Sequence, residues 1–168
     1  MVLAPGVRKF ALAVHLTFSV GWIGTVVAYI ALGVAATTSA DPQRVRGAWM
    51  AMELTGWYVI VPLAVASLLT GIVMAVGTKW GLFRHYWVLI SFALTTVATV
   101  VLLAHMPDVS AMAGAAQRAD GDEIEALGGD LLHPTLGLVL LLVIQVLNVY
   151  KPRGMTPYGQ RMDREQPR

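Results

Sequence analysis

The sequence predicts an all-α, polytopic membrane protein folded as a four-transmembrane-helix bundle. Two observations carry this. Of its 168 residues 57% are hydrophobic and only 13% are charged, a mixture far from that of a soluble domain of this size. The apolar residues also fall into four long runs, giving helices at about 9–36, 49–77, 85–106 and 132–150, each close to the roughly 20 residues that cross a bilayer core. Residues 1–150 form the transmembrane domain on this reading, and 151–168 a basic tail.

The first run follows Arg8 and Lys9 and ends near Thr38-Ser39-Ala40, which has the outline of a signal peptide. Its apolar stretch is longer than the roughly 7–15 residues of a signal core, so it reads as a retained first helix. In the second, Pro62 removes a backbone donor and predicts a kink. The third runs from His85 to Met106. The fourth gains its first turn if Leu131 to His133 are helical. Gly24 with Ala28, Ser67 with Gly71 and Gly71 with Ala75 are small-xxx-small pairs, which permit close helix approach in lipid. Trp22, Trp49, Trp57, Trp80, Trp87, Tyr58 and Tyr86 lie mostly near span ends, as an interfacial belt does.

Basic residues set the orientation, because positive loops stay cytoplasmic. Arg8, Lys9, Lys79, Arg84, Lys151, Arg153, Arg161, Arg164 and Arg168 lie on one side, against Arg44, Arg46 and Arg118 on the other. Both termini are therefore expected in the cytoplasm, with the chain in the cytoplasmic membrane. Residues 107–131 form an acidic external loop holding Asp108, Asp120, Asp122, Glu123, Glu125 and Asp130, with a short surface helix around Val109 to Gln117. Its DGDEIE lacks the ligand spacing of an EF-hand. The tail has no periodic apolar face and is expected to be disordered, resting on anionic headgroups.

The four histidines sort into two layers. His15, about 10 Å along the first helix from Arg8, and His85 are cytoplasmic; His105 and His133 are outer. One histidine pair per layer is what a bundle holding haem b with two axial imidazoles needs, with ligands on different helices. His85 sits nearer the interface than His15, so the outer pair matches better in depth. The unspecialised alternatives are an interfacial His85, a wet His133 and a His15 bonded to Ser19, Thr25 or a carbonyl. A second constellation, Met50, Met52 and Glu53 with His105, Met106, Asp108 and Met112, offers thioether and imidazole, which suit copper(I); methionine at helix ends is also ordinary packing. Glu53 is placed to orient His105 or His133.

Other chemistry finds little support. With no cysteine there is no thiolate site, and no nucleophile sits beside a base. No phosphate loop or dinucleotide fingerprint occurs. A net charge of +2 arises from the tail, which argues against nucleic acid as a partner. No inverted repeat of a transporter is visible.

HLTFSVGWIG, the run AMELTGWYVIVPLAVASLLTGIVMAVGTKWGLFRHYWVLI, LLAHMP and VYKPRGMTPYG together resemble a group of small bacterial four-helix integral membrane proteins of unknown function. More remotely, His15, Trp22 and Gly24 are similar to the first-helix pattern of copper-resistance D membrane domains. The first resemblance implies the bundle; the second implies copper uptake or a haem-bearing bundle. From the sequence, then, the expected function is haem b-based electron transfer or haem sensing, through His105 and His133 and less directly His15 and His85, with a redox partner or homo-oligomer. Copper binding or transport, and a cofactor-free scaffold, are the alternatives.

Overall fold

The computed structural model describes residues 3–78, 80–119, 122–125 and 127–165. Lys79, Asp120 and Arg168, which enter the charge pattern above, lie outside the described residues, as do the side chains of Asp122 and Glu125. Four long helices form the molecule: α1 (Pro5–Thr38), α2 (Pro42–Val76), α3 (Tyr86–Arg118) and α5 (Leu132–Tyr150). Two short ones complete it, α4 (Asp122–Glu125) and α6 (Pro157–Glu165). The four long helices are each long and apolar enough to cross a membrane, and large apolar side chains cover their outer faces, among them Phe10, Leu69, Val100 and Leu136. The chain is a multi-pass membrane protein whose exposed hydrophobic surface faces lipid.

Helix lengths decide the shape. At 1.5 Å per residue, α1, α2 and α3 each run about 50 Å, against a hydrocarbon core of about 30 Å. α5 has 19 residues and only just spans. The three long helices therefore project beyond α5 at the end away from the termini. There the projecting part of α2 packs Val45, Ala48, Trp49 and Met52 against Val109, Ala113 and Ala116 of α3, all buried. Ile124 of α4 is fully buried among them. Arg46 donates from Nε to the Ala116 carbonyl at 3.1 Å, placing a cation at the C-terminus of α3, where the helix dipole favours it.

This corrects two boundaries. α2 begins at Pro42, where Asp41 accepts a hydrogen bond from the Gln43 amide as an N-cap beside an N1 proline does; the run Pro42–Ala48 is too polar to register as membrane. α3 does not end at Met106, and 109–117 is no separate surface helix. It continues through Pro107 to Arg118, held by its apolar face against α2.

Pro62 acts as its lack of an N–H requires. Just before it, Gly56–Ile60 forms a π turn, with the Val61 amide bonded to the Gly56 carbonyl, which re-satisfies the ladder around the proline. A side chain at Gly56 would lie 2.5 Å from Met106 Cε, so that glycine lets the buried Met106 seat against α2. Of the small-residue pairs, Gly71 meets His15, while Gly24 and Ala28 are exposed.

The described part of the tail, residues 151–165, is ordered rather than disordered. The Thr156 amide donates to the Arg84 carbonyl at 3.0 Å, and its hydroxyl donates to the Phe83 carbonyl and accepts from the amide of Gly159 in the first turn of α6. Asp163 pairs with Arg84 at 3.6 Å. The Leu3 amide donates to the Gly77 carbonyl. The described segments near both termini thus dock on Gly77 and on Phe83 and Arg84.

Candidate metal centre

At the opposite end, where short α5 meets the longer helices, three titratable side chains converge. α3 supplies His105, the loop before α5 supplies Asp130, and the first turn of α5 supplies His133. His105 Nε2 lies 2.7 Å from Asp130 Oδ2, and His133 Nδ1 lies 3.5 Å from Asp130 Oδ1. Each residue offers a donor atom within 4.8 Å of the other two. The imidazole rings stack, with centroids 3.8 Å apart and planes at 23°.

Glycines bring these groups together. Gly33 of α1 passes so close to the loop that a side chain there would lie 2.6 Å from the Asp130 carbonyl oxygen, and one at Gly129 would strike the Gly33 carbonyl. The close pass holds Asp130 against α1, one turn beyond Tyr29, whose hydroxyl donates to Asp130 Oδ2 at 3.4 Å. Trp49 Nε1 donates to the Gly128 carbonyl at 3.0 Å and pins the same segment to α2. Asp130 is consequently only 10% exposed in its side chain. A carboxylate so placed at a membrane boundary is costly unless paired. Asp108, one turn after His105 on α3, faces His105 Nδ1 at 3.9 Å, the position from which a carboxylate orients a ligating imidazole.

Beneath the three groups lies an apolar cavity of about 190 Å³. Its walls include Trp22, Tyr29, Ile60, Leu102 and Leu141, with His105, Asp130 and His133 at its polar end.

The set departs from the sequence expectations in three ways. The inner histidines do not meet. His15 Nδ1 bonds the Thr70 hydroxyl at 2.9 Å on α2, whereas His85 Nδ1 bonds the Trp80 carbonyl at 2.7 Å and its ring packs edge-on to Trp80. The outer pair does meet, but not as haem ligands. A porphyrin needs one imidazole on each face, pointing at the iron from opposite sides, and rings stacked in contact leave no room for a macrocycle. Haem b therefore does not fit these residues as they are arranged. The thioether set is dispersed as well. Met50 is 44% exposed on the outer surface, while Met52 and Met106 are buried as core residues, Met106 alone also lining the cavity. Glu53 is not among the residues that contact either histidine; Asp130 holds the place assigned to it.

Asp130 was hidden in the count of loop acids. Its signal is spacing: it precedes His133 by three residues, close enough for the end of the loop and the first turn of α5 to bring the two side chains together. Comparison of the chain with protein-family models, with characterised proteins and with solved structures finds no match in any of the three. The geometry of the site therefore carries the functional reading.

Proposed function

We propose that this protein is a membrane metalloprotein that binds one divalent transition-metal ion through His105, Asp130 and His133. The observation that carries the proposal is the convergence of two imidazoles and one carboxylate from α3, the loop and α5. Around an ion with bonds of about 2.0–2.2 Å, neighbouring ligand atoms lie roughly 3–3.5 Å apart; the two contacts to Asp130, 2.7 and 3.5 Å, are close to that range. The shared proton between His105 and Asp130 is what the cation would replace. Imidazole and carboxylate favour zinc or iron(II) over copper(I).

Three protein ligands leave coordination positions open, as in sites that perform chemistry rather than hold structure. The apolar cavity lies beside them, so the reading is a metal-assisted reaction or transfer involving an apolar molecule or chain drawn from the bilayer. By the basic-residue pattern this centre belongs to the outer face of a bacterial inner membrane, with both termini cytoplasmic. Cobalt(II) titration of the detergent-solubilised full chain tests the proposal. Visible d–d absorption that saturates at one ion per chain, and disappears in His105→Ala, supports it; a featureless titration ends it.

A second reading rests on the stacking of the rings. Planes only 23° apart do not point two nitrogen lone pairs at one ion unless a ring turns. Without an ion, Asp130 between two imidazoles is a hydrogen-bonded latch that fixes the 127–131 segment to α3. This latch requires wild-type stability to be the same with and without added metal, whereas binding to the folded state alone raises stability with ion concentration.

A further inference from the structure

A second cavity, larger than the one beside the metal centre, lies at the other end of the molecule, and its lining is partly polar. It has a volume of about 420 Å³ and is bounded by α1, α2, α3 and α5. We infer that this cleft binds an anionic glycerophospholipid, with the headgroup phosphate at its mouth and an acyl chain within.

Three observations support a ligand of that chemistry. The first is the order of polarity with depth. Lys151, just past the end of α5, stands at the mouth, with Asn148 of α5 about one turn in and Gln145 about two, or roughly 5 and 9 Å deeper at 1.5 Å per residue; all three line the cleft. Arg8 and Lys9 of α1 add positive charge at the same mouth. Charge followed by neutral donors, then hydrocarbon, is the order of phosphate, ester carbonyls and acyl chain in a glycerophospholipid. A basic cluster facing the membrane surface attracts such a headgroup.

The second is polar capacity left over. Ser91 of α3 lines the cleft, is 6% exposed, and its hydroxyl oxygen is buried with no hydrogen-bond partner. Neighbouring polar groups are paired among themselves: His15 with Thr70 at 2.9 Å and Ser19 with Ser67 at 2.8 Å. In a membrane interior an unpaired hydroxyl costs free energy that a polar ligand atom or water would recover. The third is access. Leu12, Leu16 and Val149 line the cleft and are also exposed on the lipid-facing surface, so its rim opens sideways and a chain can enter without leaving the bilayer.

Trp80 and Trp87 line the same cleft, which provides a direct readout. In a Trp57→Phe background, which removes a lipid-exposed tryptophan outside the cleft, brominated phosphatidylglycerol is titrated into the detergent-solubilised full chain and fluorescence quenching is followed. Saturable quenching is expected at about a hundredfold lower concentration than with brominated phosphatidylcholine, given the contribution of about 1 kcal/mol from each of the three basic residues. Unbrominated phosphatidylglycerol should reverse it and inorganic phosphate should not. Combined Arg8→Gln, Lys9→Gln and Lys151→Gln should erase the preference, and Ser91→Ala should weaken binding while leaving the fold intact. Equal quenching by the two lipids, or a preference that survives the charge substitutions, overturns the inference. Displacement by inorganic phosphate overturns it too, leaving a simple anion site.

Discussion

His105 Nε2 and a carboxylate oxygen of Asp130 lie 2.7 Å apart, joined across 25 positions of sequence. The contact ties α3 to the loop that leads into α5, and it sets the first test. Asp130→Asn keeps the size of the side chain but removes the negative charge and one donor. Metal affinity should fall by more than the roughly 10–100-fold that loss of an outer-shell partner costs, as read by competition with a chelating dye. Helical circular dichroism should be unchanged.

Gly33→Ala tests whether the close pass of α1 builds the centre. The added methyl would meet the Asp130 backbone carbonyl at 2.6 Å, and backbone cannot swing away as a flexible side chain can. Overpacking of this kind typically costs about 1–3 kcal/mol. The variant should lose both thermal stability and metal affinity, whereas Gly24→Ala, where nothing lies within 4 Å, should lose neither.

Met106→Leu separates thioether from imidazole–carboxylate ligation. Met106 is buried against Gly56 and lines the cavity, and the swap nearly conserves volume, so stability should change by less than about 1.5 kcal/mol. Ion stoichiometry should stay at one. Loss of the ion in this variant, with the fold intact, assigns the sulfur as a ligand and revives the copper reading.

His15→Gln should reduce stability only slightly and leave metal binding untouched. The His15–Thr70 bond joins α1 to α2, and buried side-chain hydrogen bonds between membrane helices average only about 0.6 kcal/mol. A double-mutant cycle with Thr70→Val, measured by unfolding in mixed micelles, checks the coupling.

The bundle was legible because hydrophobic length is a strong signal. Four apolar runs located the spans, and Pro62 the disturbed turn. What composition could not register was helix outside the membrane. Pro42–Ala48 and Pro107–Arg118 are helical because they pack on each other, a tertiary effect absent from local hydropathy. The tail was misread for the same reason: Thr156 and Asp163 find partners on the 83–84 turn that no local pattern encodes. Of the site, His105 and His133 were legible as a pair on neighbouring helices. Asp130 was not, since only the two glycines before it and its spacing of three residues from His133 distinguish it in sequence from Glu123 or Glu125, and its fold against Gly33 is a tertiary contact. Depth alone paired His15 with His85, but depth does not say which way a ring points.

The most direct measurement is the metal content of the full chain at equilibrium. Purified wild-type, His105→Ala, Asp130→Asn and His85→Ala proteins would be stripped with chelator, dialysed against buffered zinc or iron(II), and analysed for bound metal per chain. A centre built from His105, Asp130 and His133 gives one ion in wild type and His85→Ala and essentially none in the other two. No bound ion in wild type, or equal binding in all four, contradicts it.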